Sequence, residues 1–379
     1  MTAVRRGASA SRDPAVAASE LASALAVTEG ATAMFFASPS YDLEALGNEL
    51  EKRFAGVELI GCTTAGEISP EGYARDTLVG MSFSAAEFVA VVEACDDLRP
   101  GSITQFEISN MVRSLRRKLK IRAPGSTSSD TFALLLIDGL AGLEESVLNS
   151  IALELGSIPL VGGSAGDALR FGEAVVFHAG AFRNRRAVLA LVHTTLPFDV
   201  FRTQHVTRSG TNMVVTEADP LRRVVTEINA EPAVEEYARQ LGITNRELVP
   251  AVLATHPVVV HVGGGDYARS IRQANPDGSL SFYCAIDEGI VLAPASGNDM
   301  LADLERLFAQ IRRKIGQPAA VLGFDCVFRR LEIEDRRLES AVSRVLAANN
   351  TIGFSTYGEQ FDALHLNQTF TGVAFGSGK

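Results

Sequence analysis

Three short stretches concentrate the residue types that hold small polar groups. They occupy residues 59–67 (LIGCTTAGE), 160–167 (LVGGSAGD) and 351–359 (TIGFSTYGE). Each runs apolar residue, glycine, variable residue, serine or threonine, then glycine and a carboxylate, the second being one residue shorter. Glycine lets a backbone approach a ligand closely, and hydroxyls with free N–H groups in such a turn hold an anion. A small amino acid's carboxylate would suit the turn N–H groups of residues 61–66 or 353–358, and its ammonium Glu67, Asp167 or Glu359. Arg329 offers a bidentate clamp for an acid, with Tyr357, Asn367 and Thr369 as orienting groups. The residues assigned to ligand binding are thus Gly61, Cys62, Thr63, Thr64, Gly66, Glu67, Gly162, Gly163, Ser164, Asp167, Arg329, Ser355, Tyr357, Gly358, Glu359, Asn367 and Thr369. The alternative is that these are tight turns that merely end strands.

The elements that must position the turns repeat with them. Before the first lie a strand at 32–37 and a helix at 41–54, whose Leu43, Leu46, Leu50 and Phe54 form one stripe. Before the second lie a strand at 131–137 and a helix at 143–155; before the third, a strand at 319–328 and a helix at 335–347. Another strand follows each turn, at 78–83, 174–177 and 368–375. A weaker fourth copy is read at Gly263-Gly264-Gly265-Asp266, after the apolar run 258–262, and suggests an ancestral duplication. The fold class expected is α/β with α+β character: mixed sheets flanked by helices, in repeated strand–helix–strand–turn–strand modules arranged in two halves.

Totals narrow the function classes. A chain of 379 residues suits two domains. A formal charge of −10 argues against nucleic acid, which needs a dense basic face. No uninterrupted apolar run is long enough to cross a bilayer. Four scattered cysteines without a CxxC pair fit a reducing cytoplasm and no zinc knuckle. Residues 1–20 read as a flexible N-terminal tail without a secretory core. The first domain is assigned to 21–200 and the second to 201–379, with the boundary between 195 and 220. Residues 109–121 form a basic helix, read as a solvated face, and 221–228 and 233–242 read as two further helices. A long helix is expected at 300–315.

The strings 60–69 (IGCTTAGEIS) and 353–376 (GFSTYGEQFDALHLNQTFTGVAFG) resemble the FIST sensory domains. Residues 161–167 resemble a second hallmark of the N-terminal FIST half. Residues 279–289, 326–330 and 357–359 resemble those of the C-terminal half. The resemblance spans residues 31–375. It implies a non-enzymatic cytoplasmic sensor that binds a small ligand, amino acids among them, and signals to a histidine kinase or a cyclic-di-GMP enzyme. The wording at 203–206 and at 357–369 resembles a bacterial subgroup that binds haem and senses nitric oxide.

Haem would need a proximal ligand, most often histidine, in an apolar pocket. His178, His193 and His261 sit in or beside strands, and His256 precedes a proline. His205 and His365 are therefore the candidate iron ligands. An enzyme reading rests on Cys62, which follows a glycine at a strand end where a nucleophile could stand. Gly163 and Phe354 replace it in the other copies, and no Walker, dinucleotide or HExxH spacing is present. The reading is thus a sensor of haem-bound nitric oxide, an apo sensor of amino acids or related metabolites, or a Cys62-dependent enzyme.

Overall fold

A computed structural model describes residues 3–262 and 265–377. Each of the three expected modules is a β–α–β crossover whose two strands pair in parallel. The pairs are Thr32–Ala37 with Glu58–Thr63, Thr131–Asp138 with Leu160–Ala165, and Ala320–Cys326 with Thr351–Thr356. The intervening helices are Leu43–Arg53, Glu144–Leu155, and the pair Val327–Asp335 and Glu339–Ala348. The first begins where the Asp42 carboxylate accepts from the Ala45 N–H at 3.0 Å, satisfying a donor that has no partner within the helix. The mixed α/β architecture with repeated modules is as expected.

Two antiparallel strands complete each module on the outer side of its first strand: Leu78–Phe83 and Val4–Ser9, Ala187–Thr194 and Phe88–Cys95, and Thr369–Phe375 and Phe198–Gln204. On the other side each sheet is closed by a hairpin from a different module. The hairpin Val176–His178/Ala181–Arg183 of the second module pairs with Glu58–Thr63 of the first. The hairpin Glu359–Phe361/Leu364–Leu366 of the third pairs with Leu160–Ala165 of the second. The hairpin Glu67–Ser69/Gly72–Ala74 of the first pairs with Thr351–Thr356 of the third. The exchange forms a closed cycle.

Between the sheets lies one shared apolar interior, containing Met34, Phe36, Ile60 and Met81, then Phe132, Leu134, Val161 and Val188, then Leu322, Phe324, Phe354 and Phe375. Aromatic rings cross the module boundaries, Phe36 meeting Phe354 at 4.6 Å and Phe83 meeting Phe375 at 5.5 Å between centroids. Each such side chain contributes about 1.5–3 kcal/mol through burial.

The third module is interrupted. Between Phe198–Gln204 and the helix Met300–Ile315, the chain builds a separate sheet, nine-stranded among the described residues, with its own core of Met213, Val225, Tyr237, Leu253, Phe282 and Leu292. The first half of the chain thus holds two modules, and the second holds one module and the inserted sheet.

Several local expectations are corrected. Residues 1–20 are not a flexible tail where described: Val4–Ser9 pairs with Leu78–Phe83, and Pro14–Leu25 is a helix capped by Asp13. That helix agrees with the helical reading of residues 15–27, and its Ala17, Ala18, Leu21 and Leu25 are buried. Residues 221–228 are not a helix. The strand Val224–Ile228 pairs with Met213–Asp219 and Leu280–Phe282, as its β-branched residues favour. The helix expected at 335–347 is Glu339–Ala348, preceded by Val327–Asp335, with Arg337 between them in the left-handed region. The fourth turn copy lies partly outside the described residues, at Gly263 and Gly264. The basic helix Gln105–Arg122 ties its cations locally, Lys118 to Glu93 at 2.8 Å and Arg113 to Glu154 at 3.5 Å.

Candidate functional site

The three turns converge, but onto one another. Ala65 N–H donates to Ser355 O at 2.9 Å, and Ser355 N–H to Gly66 O at 2.7 Å. Gly166 N–H donates to Thr63 O at 3.0 Å and Ala168 N–H to Thr64 O at 3.1 Å. Ser164 N–H donates to Gly358 O at 2.8 Å and Tyr357 N–H to Ser164 O at 3.2 Å. Of these, the N–H groups of Ala65, Ser355 and Tyr357 lie in the stretches expected to hold an anion, and they are engaged by neighbouring carbonyls. The repeated glycines answer the same crowding. A Cβ on Gly61 would stand 2.5 Å from Phe35 O, on Gly162 2.0 Å from Leu135 O, and on Gly353 1.7 Å from Gly323 O. The close approach is to the neighbouring parallel strand, not to a ligand. Gly163 is confined in the same way by Thr356, Phe324 and Phe354.

Two of the three carboxylates are held identically. Glu67 accepts from the Thr64 hydroxyl at 2.5 Å and from the Thr77 hydroxyl at 2.8 Å and N–H at 3.2 Å. Glu359 accepts from the Thr356 hydroxyl, and from Thr369 Oγ1 at 2.7 Å and N–H at 3.3 Å. Burial raises both carboxyls, that of Glu359 to about 8, so Glu359 is neutral at pH 7 and is no counter-charge for an ammonium. Asp167 is not their counterpart. By strand register that position is Val176, since Phe354 faces Glu67, Gly163 faces Glu359 and Cys62 faces Val176. Asp167 instead caps a loop, accepting from the N–H groups of Phe171 (2.9 Å), Gly172 (2.6 Å) and Glu173 (3.0 Å) and from the Tyr357 hydroxyl. Tyr357 in turn stacks on Phe171 at 5.4 Å and accepts from the Leu169 N–H.

The hydroxyls divide. Thr63 Oγ1 accepts from the Val175 N–H at 3.0 Å and Ser164 Oγ from Gln360 Nε2 at 2.9 Å. Ser355 Oγ is buried and finds no partner among the described residues. Arg329 is fully buried in a polar chain. Its Nε donates to Asp325 at 2.8 Å, its Nη1 lies 3.0 Å from His205 Nδ1, and His205 Nε2 lies 2.8 Å from Glu332. Asp325 also accepts from the Tyr73 hydroxyl. Arg329 thus directs its Nε and Nη1 to partners inside the third module. Cys62 is enclosed in the shared apolar interior, where burial pushes its thiol far up, which leaves it a poor nucleophile.

His365 differs from every other candidate. In the register of the three hairpins it occupies the place of Tyr73 and Phe182: Ile68 faces Tyr73, Gln360 faces His365, Phe177 faces Phe182. Tyr73 bonds Asp325, and Phe182 packs edge-on against Phe35 and Phe177. His365 is 3% exposed, yet neither ring nitrogen has a hydrogen-bond partner among the described residues. Its ring closely abuts Gly358, where a Cβ would stand 2.1 Å from Cε1. Gln360 Oε1, Arg269 Nε and Ser270 Oγ are likewise buried and unpartnered. Gln360 is the direct cross-strand neighbour of His365; Arg269 Nη1 donates to His365 O at 3.4 Å, and Ser270 N–H to Asn367 Oδ1 at 3.3 Å. Leaving such groups unpaired costs about 1–3 kcal/mol each.

These residues lie in the seam where the third module's hairpin, paired to the second module's sheet, meets the inserted sheet. Arg223 of the insert clamps Glu144 at 2.7 Å and Glu145 at 2.6 Å, and the Ala285 N–H donates to Glu145 at 2.6 Å. Tyr283 of the insert meets Tyr357 and Phe328 at 6.4 and 5.1 Å. Of the expected residues, Gly162, Gly358, Asn367 and His365 border the seam, Gly162 because its Cβ would reach Gln360 Oε1 at 3.1 Å. Gln360, Arg269, Ser270, Arg223, Glu144 and Glu145 were missed. One signal was available: Tyr73 and His365 each follow the motif carboxylate by the same number of residues.

The residues present do not fit haem. His205 has both nitrogens engaged. His365 lies within the field of four charged side chains, Glu145, Glu144, Arg223 and Arg269, whereas haem sits in an apolar pocket.

Comparison with known families places the chain. The FIST N domain family model matches residues 31–231, and the FIST C domain model matches residues 233–362. A comparison with curated proteins returned no match. Among solved structures, a cyanuric acid hydrolase described as an evolutionary innovation by structural concatenation shares 12% identity over 98% of both chains, with a TM-score of 0.38. The same enzyme from A. caulinodans shares 11% over 99% of both chains, also at 0.38. Likeness at that level carries no conclusion about this chain.

Proposed function

The chain belongs to the FIST family, whose domains are sensory, ligand-binding signalling domains, and on that premise we propose that it is a non-enzymatic sensor of a small polar molecule held at His365. An amino acid or related metabolite supplies both the donors and the acceptors that the orphan groups require. The observation that carries this reading is that His365, Gln360, Arg269 and Ser270 leave buried polar atoms unpaired in one seam, while at the equivalent places Tyr73 is hydrogen-bonded and Phe182 is apolar. The ligand bridges the third module's hairpin, seated on the second module, and the inserted sheet, so its binding alters how these are held, and a partner such as a histidine kinase or a cyclic-di-GMP enzyme reads that change by contact.

The test is a thermal-shift screen of amino acids and related metabolites. A molecule that binds only the folded state raises the melting temperature by mass action. The expected hit stabilises the native protein and loses its effect in His365→Phe, a substitution that copies residue 182 of the equivalent hairpin. A hit that stabilises both proteins equally would place the site elsewhere.

A further inference from the structure

Resting on that site, we propose that its ligand is a small anion, a carboxylate or similar oxyanion, and that it enters together with one proton taken up by His365. The seam carries matched charge before the ligand arrives. Facing His365 are Glu144 and Glu145 from the helix Glu144–Leu155, and Arg223 and Arg269 from the inserted sheet. The same groups of the insert and Glu145 act on Cys284, whose buried thiol is pushed up to about 11 and is neutral. Two carboxylates against two guanidiniums leave no net charge when the imidazole is neutral, and burial favours that neutral form. An anion brings one negative charge into a site that water cannot screen. A proton on His365 cancels it.

The hydrogen-bond inventory closes in the same state. Arg223 is already paired with carboxylates, its Nη2 on both glutamates and its Nη1 on Tyr283 O. Among the described residues Arg269 has no carboxylate partner, and its Nε is unpaired. A neutral imidazole offers one donor and one acceptor; an imidazolium offers two donors. Protonated His365 donates from one nitrogen to Gln360 Oε1 and from the other to the anion. Arg269 Nε–H and the Ser270 hydroxyl donate to the same anion. Every unpaired atom of the cluster is then satisfied, whereas a neutral imidazole has a single N–H and cannot donate to both Gln360 Oε1 and the ligand.

Formate, acetate and glycolate, each beside its amide, are the probes. Thermal shifts are measured at about pH 6 and about pH 8 on the full chain and on His365→Phe, whose own melting without probe reports that it folds. Carboxylates are expected to stabilise the native protein. Their apparent affinity should weaken by roughly tenfold per pH unit above neutrality, because binding is linked to one proton, and His365→Phe should show neither effect. Amides that act through His365 as well as the acids do, with no pH dependence, would overturn the anion inference and leave the ligand site standing. If no shift, from acid or amide, depends on His365, the inference and the site fall together.

Discussion

At the scale of single residues, the chain uses one side chain in the same way at two equivalent places. Glu67 and Glu359 are buried, each gripped by two threonines at matching spacings. Glu359 has its carboxyl raised from 4.5 to about 8, chiefly because burial disfavours the charge. An unfolded chain ionises this residue through its ordinary range, whereas the folded protein keeps the proton to about pH 8. In that window the folded state binds more protons, so the stability it confers at low pH is lost as pH rises. His205 and His365 act in the reverse sense at lower pH, since burial lowers both, and both remain in the comparison that isolates the carboxyl. Glu359→Gln keeps the shape and removes the titration. Its stability relative to the native protein should therefore improve by a few kcal/mol between about pH 5 and pH 8. Denaturant midpoints at both ends of that range check it, and a constant difference would show that Glu359 ionises normally in the fold.

Elements explain what the sequence could and could not convey. The modules were legible because glycine, hydroxyl and carboxylate recur at fixed spacing beside a strand and an amphipathic helix. Glycine was rightly singled out, but for a different reason: Gly61, Gly162 and Gly353 admit the carbonyl of the adjacent parallel strand. Asp167 misled because it stands at nearly the expected spacing, although a loop separates it from Val176, the true counterpart. Which sheet receives each hairpin was not legible, because three-residue strands carry no local mark of their partner. The orphan atoms around Gln360 and Arg269 were hidden for a similar reason, since lacking a partner is a tertiary property. The glycine argument yields a direct expectation. Gly162→Ala would force Cβ to 2.0 Å from Leu135 O, and relieving that clash should cost about 3 kcal/mol or more. Gly125→Ala, with no atom within 4 Å of the added carbon, should leave denaturant stability within about 0.5 kcal/mol.

For the whole molecule, the cyclic exchange of hairpins decides how stability is shared. If the first module opens, it releases its hairpin from the third; the third then frees its hairpin from the second, and the second its own from the first. The interior has the same property, because Phe36, Phe132 and Phe375 come from different modules and line one core. No module can keep its contacts while another is open, so the three form one cooperative unit. The inserted sheet is built differently, around its own core, and meets the rest through groups such as Arg223 and Tyr283. It can loosen without unravelling a module, as a ligand-responsive part should. Hydrogen exchange of native and Gly162→Ala protein separates these behaviours. The substitution lies in the second module, yet protection should fall by a similar factor in Thr32–Ala37, Thr131–Asp138 and Ala320–Cys326. Val258–Val262 and Val291–Gly297 of the insert should exchange at their native rates wherever these are set by local opening. Loss of protection confined to the second module would mean that the hairpins are docked rather than shared. A ligand seated at His365 would then stabilise that hairpin, the second module beneath it and the insert, and leave the first module unchanged.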